Sequence, residues 1–225
     1  MERKLIRHLL ATALIVTFAF NSFAQVRIGS PYSRYGLGDI NSGNSPFFLS
    51  MGGTAFGIRS SAFVNHANPA SYTAFDTTSF VFEGGVYSQS STIKSVSASQ
   101  SSSYSSIGSI LIGFPISKKI KASFGLLPYS SVGYKIADNK SLVISADSST
   151  AVSNIYDGSG GINKAYFGFG FNVFKNLSFG VNADFLFGTI KRNSTSNLTD
   201  LLYANSYRRT TFVKVNDFNF NFGLQ

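Results

Sequence analysis

The sequence predicts an all-β fold, a transmembrane antiparallel β-barrel with an N-terminal plug. Three observations lead to this prediction. Apolar and polar residues alternate with a period of two over most of the chain beyond residue 78, which is the pattern of strands with two different faces. The chain contains 23 Phe and 11 Tyr, and a barrel can present such rings to lipid. Its first residues have the pattern of an export signal.

Residues 1–24 are predicted to be a signal peptide. Three basic residues precede an apolar run from Leu9 to Phe20, and small residues around Ala24 form a cleavage site. The run is 12 residues long, whereas a helix needs about 20 apolar residues to cross a bilayer. We therefore expect cleavage before Gln25 and export from the cytoplasm; the alternative is an uncleaved anchor.

The composition excludes several classes of function. The chain has no Cys, so it has no disulfide framework and no cysteine-based metal site, and we expect no cofactor and no metal. The formal net charge is +9, but the basic residues are scattered in pairs at most, whereas nucleic-acid binding needs a concentrated basic patch. We expect no nucleic-acid partner, and we expect these residues to meet the head groups of outer-membrane lipids.

The clearest alternation covers two neighbouring segments, Ala165–Val173 and Leu177–Phe187. Their odd positions are mostly aromatic or aliphatic, and their even positions are mostly Gly, Asn or Ser. Helical spacing would scatter the aromatic residues around a cylinder, so a helix does not explain the pattern. The two segments are predicted to be strands with one apolar and one polar face.

The parity of the alternation predicts the turn between these strands. Directly opposed residues of an antiparallel pair share a face, which requires a three-residue loop, residues 174–176. This register sets Phe171 opposite Phe179 and Tyr166 opposite Asp184. Such a loop favours a left-handed conformation at its last residue, Asn176.

A second hairpin has the same design. Residues 110–116 and 120–126 alternate on either side of a three-residue turn. The connections 88–106, 137–163 and 192–206 are polar enough to predict loops; for 137–163 the alternative is that it carries some strand of its own. Short turns and long loops on opposite sides are typical of outer-membrane barrels. A soluble β-sandwich also alternates, but the inner faces here are small and polar for a packed sandwich core.

The pattern predicts about six strands in residues 78–225. The smallest outer-membrane barrels have eight, so we expect this sequence to stop part-way around a barrel. The predicted strands are about 78–88, 104–116, 120–136, 164–174, 177–190 and 207–225.

Residues 25–77 do not alternate and are predicted to form the plug. Glycine pairs and the Asn68-Pro69 step indicate turns in an irregular, compact segment. The segment holds seven aromatic rings in residues 32–72, which is too many for a solvated tail.

The sequence around this segment resembles a known family, the FadL-type long-chain fatty-acid and hydrocarbon transporters of the outer membrane. The motifs that carry the resemblance are Asn68-Pro69-Ala70 with Phe75-Asp76, Phe80 and Val86-Tyr87, the upstream runs Tyr35-Gly36-Leu37-Gly38 and Met51-Gly52-Gly53-Thr54-Ala55, and Pro115-Ile116. The resemblance implies an incomplete N-terminal portion of a 14-stranded barrel. It also implies a plug that carries Asn68, Pro69 and Ala70, and passive, plug-gated passage of fatty acids or aromatic hydrocarbons.

Members of that family release their ligand sideways through a kink in the third strand. Pro128 lies in the third predicted strand and has no N–H for the ladder. It is therefore the candidate for a lateral-opening kink; the alternative is a proline near the outer end of the strand. The candidates for lumen lining are Leu111, Leu127, Tyr166, Asp184 and Leu186.

An enzyme is not expected, because the mature chain keeps one histidine, His66, with no obvious partner pattern, and a general base needs a positioned partner. Two function classes remain. The first is outer-membrane transport of a hydrophobic small-molecule ligand. The second is a barrel platform subunit of a secretion or surface-attachment system, with protein partners. Both predict the bacterial outer membrane as the location.

Overall fold

The computed structural model describes residues 29–41, 45–94, 99–145, 148–198 and 206–225. The signal peptide predicted for residues 1–24 lies outside this part of the chain. The described residues are mostly β-strand. Short helical elements are a 3-10 helix at Pro31–Arg34, helix α1 at Pro46–Ser50 and a 3-10 helix at Pro69–Ala74. The strands are β1 (Asp39–Ile40), β2 (Val81–Lys94), β3 (Ser99–Pro115), β4 (Ile120–Ser145), β5 (Ser148–Phe174), β6 (Leu177–Leu198) and β7 (Tyr207–Leu224).

One antiparallel sheet contains all these strands. Its order is β2-β3-β4-β5-β6-β7, so consecutive strands are neighbours, and the short strand β1 pairs with β4. Strands β2 and β7 form the two edges, and within the described ranges they do not pair with each other. The prediction of an all-β, antiparallel architecture is confirmed. The described sheet is open, so it neither closes a barrel nor encloses a plug.

The alternation in sequence becomes two chemically different faces. We call the face that contacts residues 45–76 the inner face, and the opposite face the outer face. On β7, the even positions form the outer face, where Phe218, Phe220 and Phe222 are each between 59% and 66% exposed. On β6, Ser178, Asn182 and Asp184 lie on the inner face and are buried.

The predicted β5–β6 register is confirmed. Phe171 pairs with Phe179, and Tyr166 pairs with Asp184. The detail of the turn is wrong, because the register shifts between Asn172 and Phe174 and leaves only residues 175–176 in the loop. No non-glycine residue in the described part of the chain has a positive φ, so Asn176 is not left-handed. The alternation requires one extra residue between the two strands. It lies in a β-bulge at residues 172–174 and not in the turn.

The second hairpin has the predicted three-residue turn. The Ile116 N–H donates to the Ile120 carbonyl at 3.1 Å, and the ladder continues as Phe114 opposite Ala122. Within the turn, the hydroxyl of Ser117 accepts from the Ile120 N–H at 3.1 Å. This side-chain bond satisfies a backbone donor that the ladder does not reach.

The loops predicted for 88–106 and 192–206 are wrong where the structure describes these residues, and the alternative of some strand within 137–163 is confirmed. Strands β2 and β3 continue through most of residues 88–106, and their serines pair across the ladder, for example Ser91 with Ser102 at 3.2 Å between hydroxyl oxygens. Residues 137–163 and 192–206 also contain long strand extensions. The sequence of these extensions lacks a regular alternation of apolar and polar residues, so it offers no strand pattern to detect.

Strand β4 separates from β3 near Pro128. The last β3–β4 pair is Ile110 with Leu126, and the β4–β5 ladder shifts register between Pro128 and Ser130. Just beyond this point, β1 pairs with β4 at Ser130. Pro128 therefore lies at a local break in pairing, and its role as a lateral opening stays a prediction.

Candidate functional site

The contact between the N-terminal segment and the inner face is the candidate site. Its centre is the 3-10 helix Pro69–Ala74, which begins after Asn68 because the Asn68 side-chain oxygen accepts from the Ala70 N–H at 3.1 Å. The Asn68 side-chain amide donates to the Phe56 carbonyl at 2.9 Å. Asn68, Pro69 and Ala70 are all buried, so the motif joins two parts of the segment at the wall.

A row of three glycines on neighbouring strands receives this motif. Gly170 of β5 pairs with Gly180 of β6, which pairs with Gly223 of β7. A Cβ atom at Gly180 would overlap the backbone of Pro69 and Ala70, and one at Gly223 would overlap the Asn68 side chain. The missing side chains allow the backbone of the segment to lie directly against the backbone of the sheet.

Buried polar groups fix the orientation of the segment. The His66 Nε2 lies 3.2 Å from Asp184 Oδ1, and Lys164 Nζ lies 3.8 Å from Asp184 Oδ2. The Asn182 side chain donates to the His66 carbonyl at 3.0 Å and accepts from the Tyr72 hydroxyl at 3.0 Å. Each bond pairs a group that burial has removed from water, so a displaced segment would leave several of them unsatisfied.

His66 has a partner that the sequence did not reveal. Burial lowers the pKa of the His66 imidazole below its ordinary value of 6.5, and the hydrogen bond to Asp184 only partly opposes this effect. The imidazole is therefore neutral near pH 7. It is 5% exposed, so it serves as a packing and hydrogen-bonding group.

The residues predicted to line a lumen do lie on the inner face, but other residues cover them. Leu111, Leu127 and Tyr166 are 0%, 2% and 4% exposed. They form one apolar cluster with Val64, Tyr72 and Phe75 of the N-terminal segment. Leu186 packs against a second cluster further along the sheet, and Asp184 is 2% exposed. Their role in lining a passage stays a prediction.

Residues 29–41 form a strap over the second cluster. Gly29 donates to the Gly133 carbonyl at 2.9 Å, and the Gly133 N–H donates to the Ser33 hydroxyl at 3.2 Å. The Arg34 guanidinium lies 4.5 Å from the centre of the Tyr156 ring. The strap occupies the space beside β4 from which β3 has departed.

Sequence reasoning missed the glycine row and Asn182. The β5–β6 register, which was predicted, already sets Gly170 opposite Gly180 and Gly168 opposite Asn182. The position of Gly223 could not be predicted in the same way, because the predicted connection 192–206 leaves the β6–β7 register open in the sequence.

No helix in the described part of the chain is long and apolar enough to cross a membrane. The same residues contain no group of three or more His, Asp or Glu side chains arranged to hold a metal ion.

The comparisons with known proteins identify the family. The sequence model of the BamG family matches residues 5–225. No curated protein and no solved structure matches the chain. The resemblance to FadL-type transporters is therefore wrong: its short glycine and Asn-Pro-Ala motifs occur here in a chain that a different family model matches almost throughout. The chain belongs to the BamG family, which is linked to the BAM complex and to the assembly of β-barrel proteins in the bacterial outer membrane.

Proposed function

We propose that this chain is a non-catalytic subunit that binds protein partners during the assembly of outer-membrane β-barrel proteins. Membership of the BamG family supports this role. The role corresponds to the platform class of function, with assembly in place of secretion or surface attachment. It replaces passive transport of fatty acids or hydrocarbons, which family membership does not support.

The filled inner face is the structural observation that carries the proposal. A passage for apolar ligands needs open space along the wall. Here the 3-10 helix Pro69–Ala74 lies directly on the glycine row, and Leu111 and Leu127 are closed off by the same segment. An inner face that is covered and hydrogen-bonded suits a rigid platform better than a passage for ligands.

We further propose that the sheet forms part of a barrel wall in the outer membrane. The aromatic outer face would contact lipid, which accounts for rings such as Phe218 and Phe222 that are 66% exposed. The N-terminal segment would act as a fixed plug, held through Asn68, Pro69 and Ala70. Pro128 would mark a weak point in the wall between β3 and β4.

Depletion in the native bacterium tests the function. We expect the amounts of several unrelated outer-membrane β-barrel proteins to fall, and uptake of a labelled long-chain fatty acid to stay unchanged. Re-expression of the full chain, or of a variant with the exposed turn substitution Lys118→Gln, should restore the barrel proteins. Loss of fatty-acid uptake with normal barrel-protein levels would overturn the proposal.

A further inference from the structure

The outer face of β6 and β7 carries an apolar band of defined height. The band begins at the pair Phe179 and Leu224 and extends to Phe187, which lies opposite Asn216. The polar pair Thr189 and Lys214 bounds it, ten residues along β6 from its start. At a strand rise of about 3.4 Å per residue and a tilt of about 40°, this length corresponds to about 25 Å of height. That value equals the apolar band of about 25 Å that outer-membrane barrels present to lipid.

Three cations lie on the same face, at this end of the band and beyond it. Lys214 pairs with Thr189, Lys191 with Phe212, and Arg208 with Thr195. Opposed residues share a face, and the β6–β7 ladder has no register shift. The positions therefore continue the outer face of Phe218, Phe220 and Phe222. Lys191, Arg208 and Lys214 are all exposed.

Few negative charges balance these cations. Among the described residues, Asp157 is the carboxylate nearest in the ladder on the outer face; it pairs with Asn193, whose side-chain amide donates to it at 2.7 Å. Asp157 also lies opposite another cation, Lys135. Within the described ranges, none of the three cations forms an ion pair within 4.0 Å. We call Lys191, Arg208 and Lys214 the basic rim. Its positive charge is not neutralised by a nearby carboxylate in the described residues, so it can attract an anionic partner.

We propose that Lys191, Arg208 and Lys214 bind the phosphate groups of a phosphorylated lipid. This lipid would lie in the leaflet at the end of the sheet opposite the tight turns at 117–119 and 175–176. The inference rests on the proposed membrane placement. The cations follow directly on the apolar band, so an acyl chain against the phenylalanines would place its head group at the cations. Lys191 Nζ lies 5.9 Å from the centre of the Phe212 ring. An aromatic side chain therefore lies at the same depth as this cation, and aromatic residues are common at membrane interfaces.

The test compares lipid selectivity of the full chain in phosphatidylcholine vesicles that contain a small fraction of spin-labelled lipid A or spin-labelled phosphatidylcholine. The variant combines Lys191→Gln, Arg208→Gln and Lys214→Gln. Its matched control combines Lys118→Gln, Lys119→Gln and Lys175→Gln, which removes the same charge from the tight turns at the opposite end.

We expect the wild type and the control to select lipid A, and the rim variant to lose this selectivity by about tenfold or more, since each basic residue near an anionic surface contributes substantially. Equal selectivity in all three proteins, or an equal loss in the control, would overturn the inference. Competition by inorganic phosphate alone would assign the rim to free anions, and binding of an acidic protein at the rim without lipid selectivity would assign it to that partner; either result overturns the lipid site.

The two proposals fail in different ways. If protease digestion shows that the strands of the wild-type chain are not protected by the bilayer, the membrane placement is wrong, and the lipid site fails with it. If the strands are protected but lipid A is not selected, only the lipid site is wrong.

Discussion

At the scale of single residues, the absence of side chains matters as much as their presence. Gly180 allows the backbone of Pro69 and Ala70 to reach the wall, and Asn68 uses its side chain to begin the helix and to hold Phe56. A glycine costs chain entropy in a strand. Here the cost is offset by close packing of two backbones that a methyl group would separate.

The substitution Gly180→Ala tests this contact. Because the new Cβ would overlap the backbone of Pro69 and Ala70, we expect a loss of about 1 to 3 kcal/mol in the free energy of unfolding, as for other overpacked sites. Urea unfolding of the refolded chain measures this loss. The matched control is Gly84→Ala, also in a strand, where the Cβ would make only ordinary contacts of 3.7 Å with Phe82. Equal effects at both positions would show that strand propensity, and not the contact, is responsible.

His66 gives the fold a dependence on pH. The unfolded chain protonates this imidazole near pH 6.5, whereas the folded chain protonates it at lower pH because burial lowers its pKa. Between these values the unfolded state binds more protons, so stability is complete above about pH 6.5 and falls as the pH drops below it. Asp184 and Lys164 are the charged groups that face the imidazole.

Urea unfolding measured above and below this pH checks the expectation, with His66→Gln as the comparison. The variant removes the titrating group, so its stability should change less with pH than that of the wild type. An unchanged pH dependence in the variant would assign the effect to other groups.

At the scale of elements, β4 is the strand whose two halves have different neighbours. Its first half pairs with β3 and β5, and its second half pairs with β5 and briefly with β1. Pro128 lies at the change, where its missing N–H costs the ladder least. The strap of residues 29–41 then replaces β3 as the neighbour of β4.

A designed disulfide tests the β1–β4 pairing. Ile40 and Ser130 are direct partners, and such pairs lie within the distance that a disulfide spans. The chain has no natural Cys, so the double variant Ile40→Cys, Ser130→Cys should form a single intramolecular disulfide, visible as a mobility shift under non-reducing conditions. The pair Ile40→Cys, Tyr134→Cys should not, because four strand residues separate it from the register by about 13 Å. Cross-linking of both pairs would indicate a mobile strap.

At the scale of the whole molecule, the two faces of the sheet have opposite environments. The inner face is covered by the N-terminal segment, with polar groups paired and apolar clusters closed. The outer face leaves large rings such as Phe220 exposed. Water is a poor environment for so continuous an aromatic surface, which is why we assign that face to lipid.

The substitution Phe220→Lys tests this assignment. In the proposed placement the residue lies within the apolar band, where a lysine costs about 2 to 4 kcal/mol, compared with about 0 to 1 kcal/mol near the interface. We therefore expect Phe220→Lys to reduce folding into bilayers much more than Thr210→Lys, which has the same outward parity on β7 but lies beyond Lys214. Urea titration in vesicles provides the comparison. A similar cost at both positions would place the face in water.

The sequence by itself determined the alternating strands, the β5–β6 pairing and the three-residue length of the turn that begins at Ser117. These features depend on neighbours within one hairpin, so parity alone decides them. It did not determine the strand extensions, which lack a regular alternation of apolar and polar residues, or the family, since short Gly and Asn-Pro-Ala motifs are not specific to one family. The match of one family model to residues 5–225 decided the latter.

Only the tertiary structure decided which residues of the N-terminal segment meet which residues of the sheet. His66 and Asp184 are 118 residues apart in sequence, and Asn68 reaches the carbonyl of Leu224 across 156 residues. Such contacts arise when a segment without periodicity settles on a face formed by several strands. The physical reason is that alternation specifies faces, whereas the fit of the Asn68-Pro69-Ala70 backbone against Gly170, Gly180 and Gly223 is specified by the space those strands leave together.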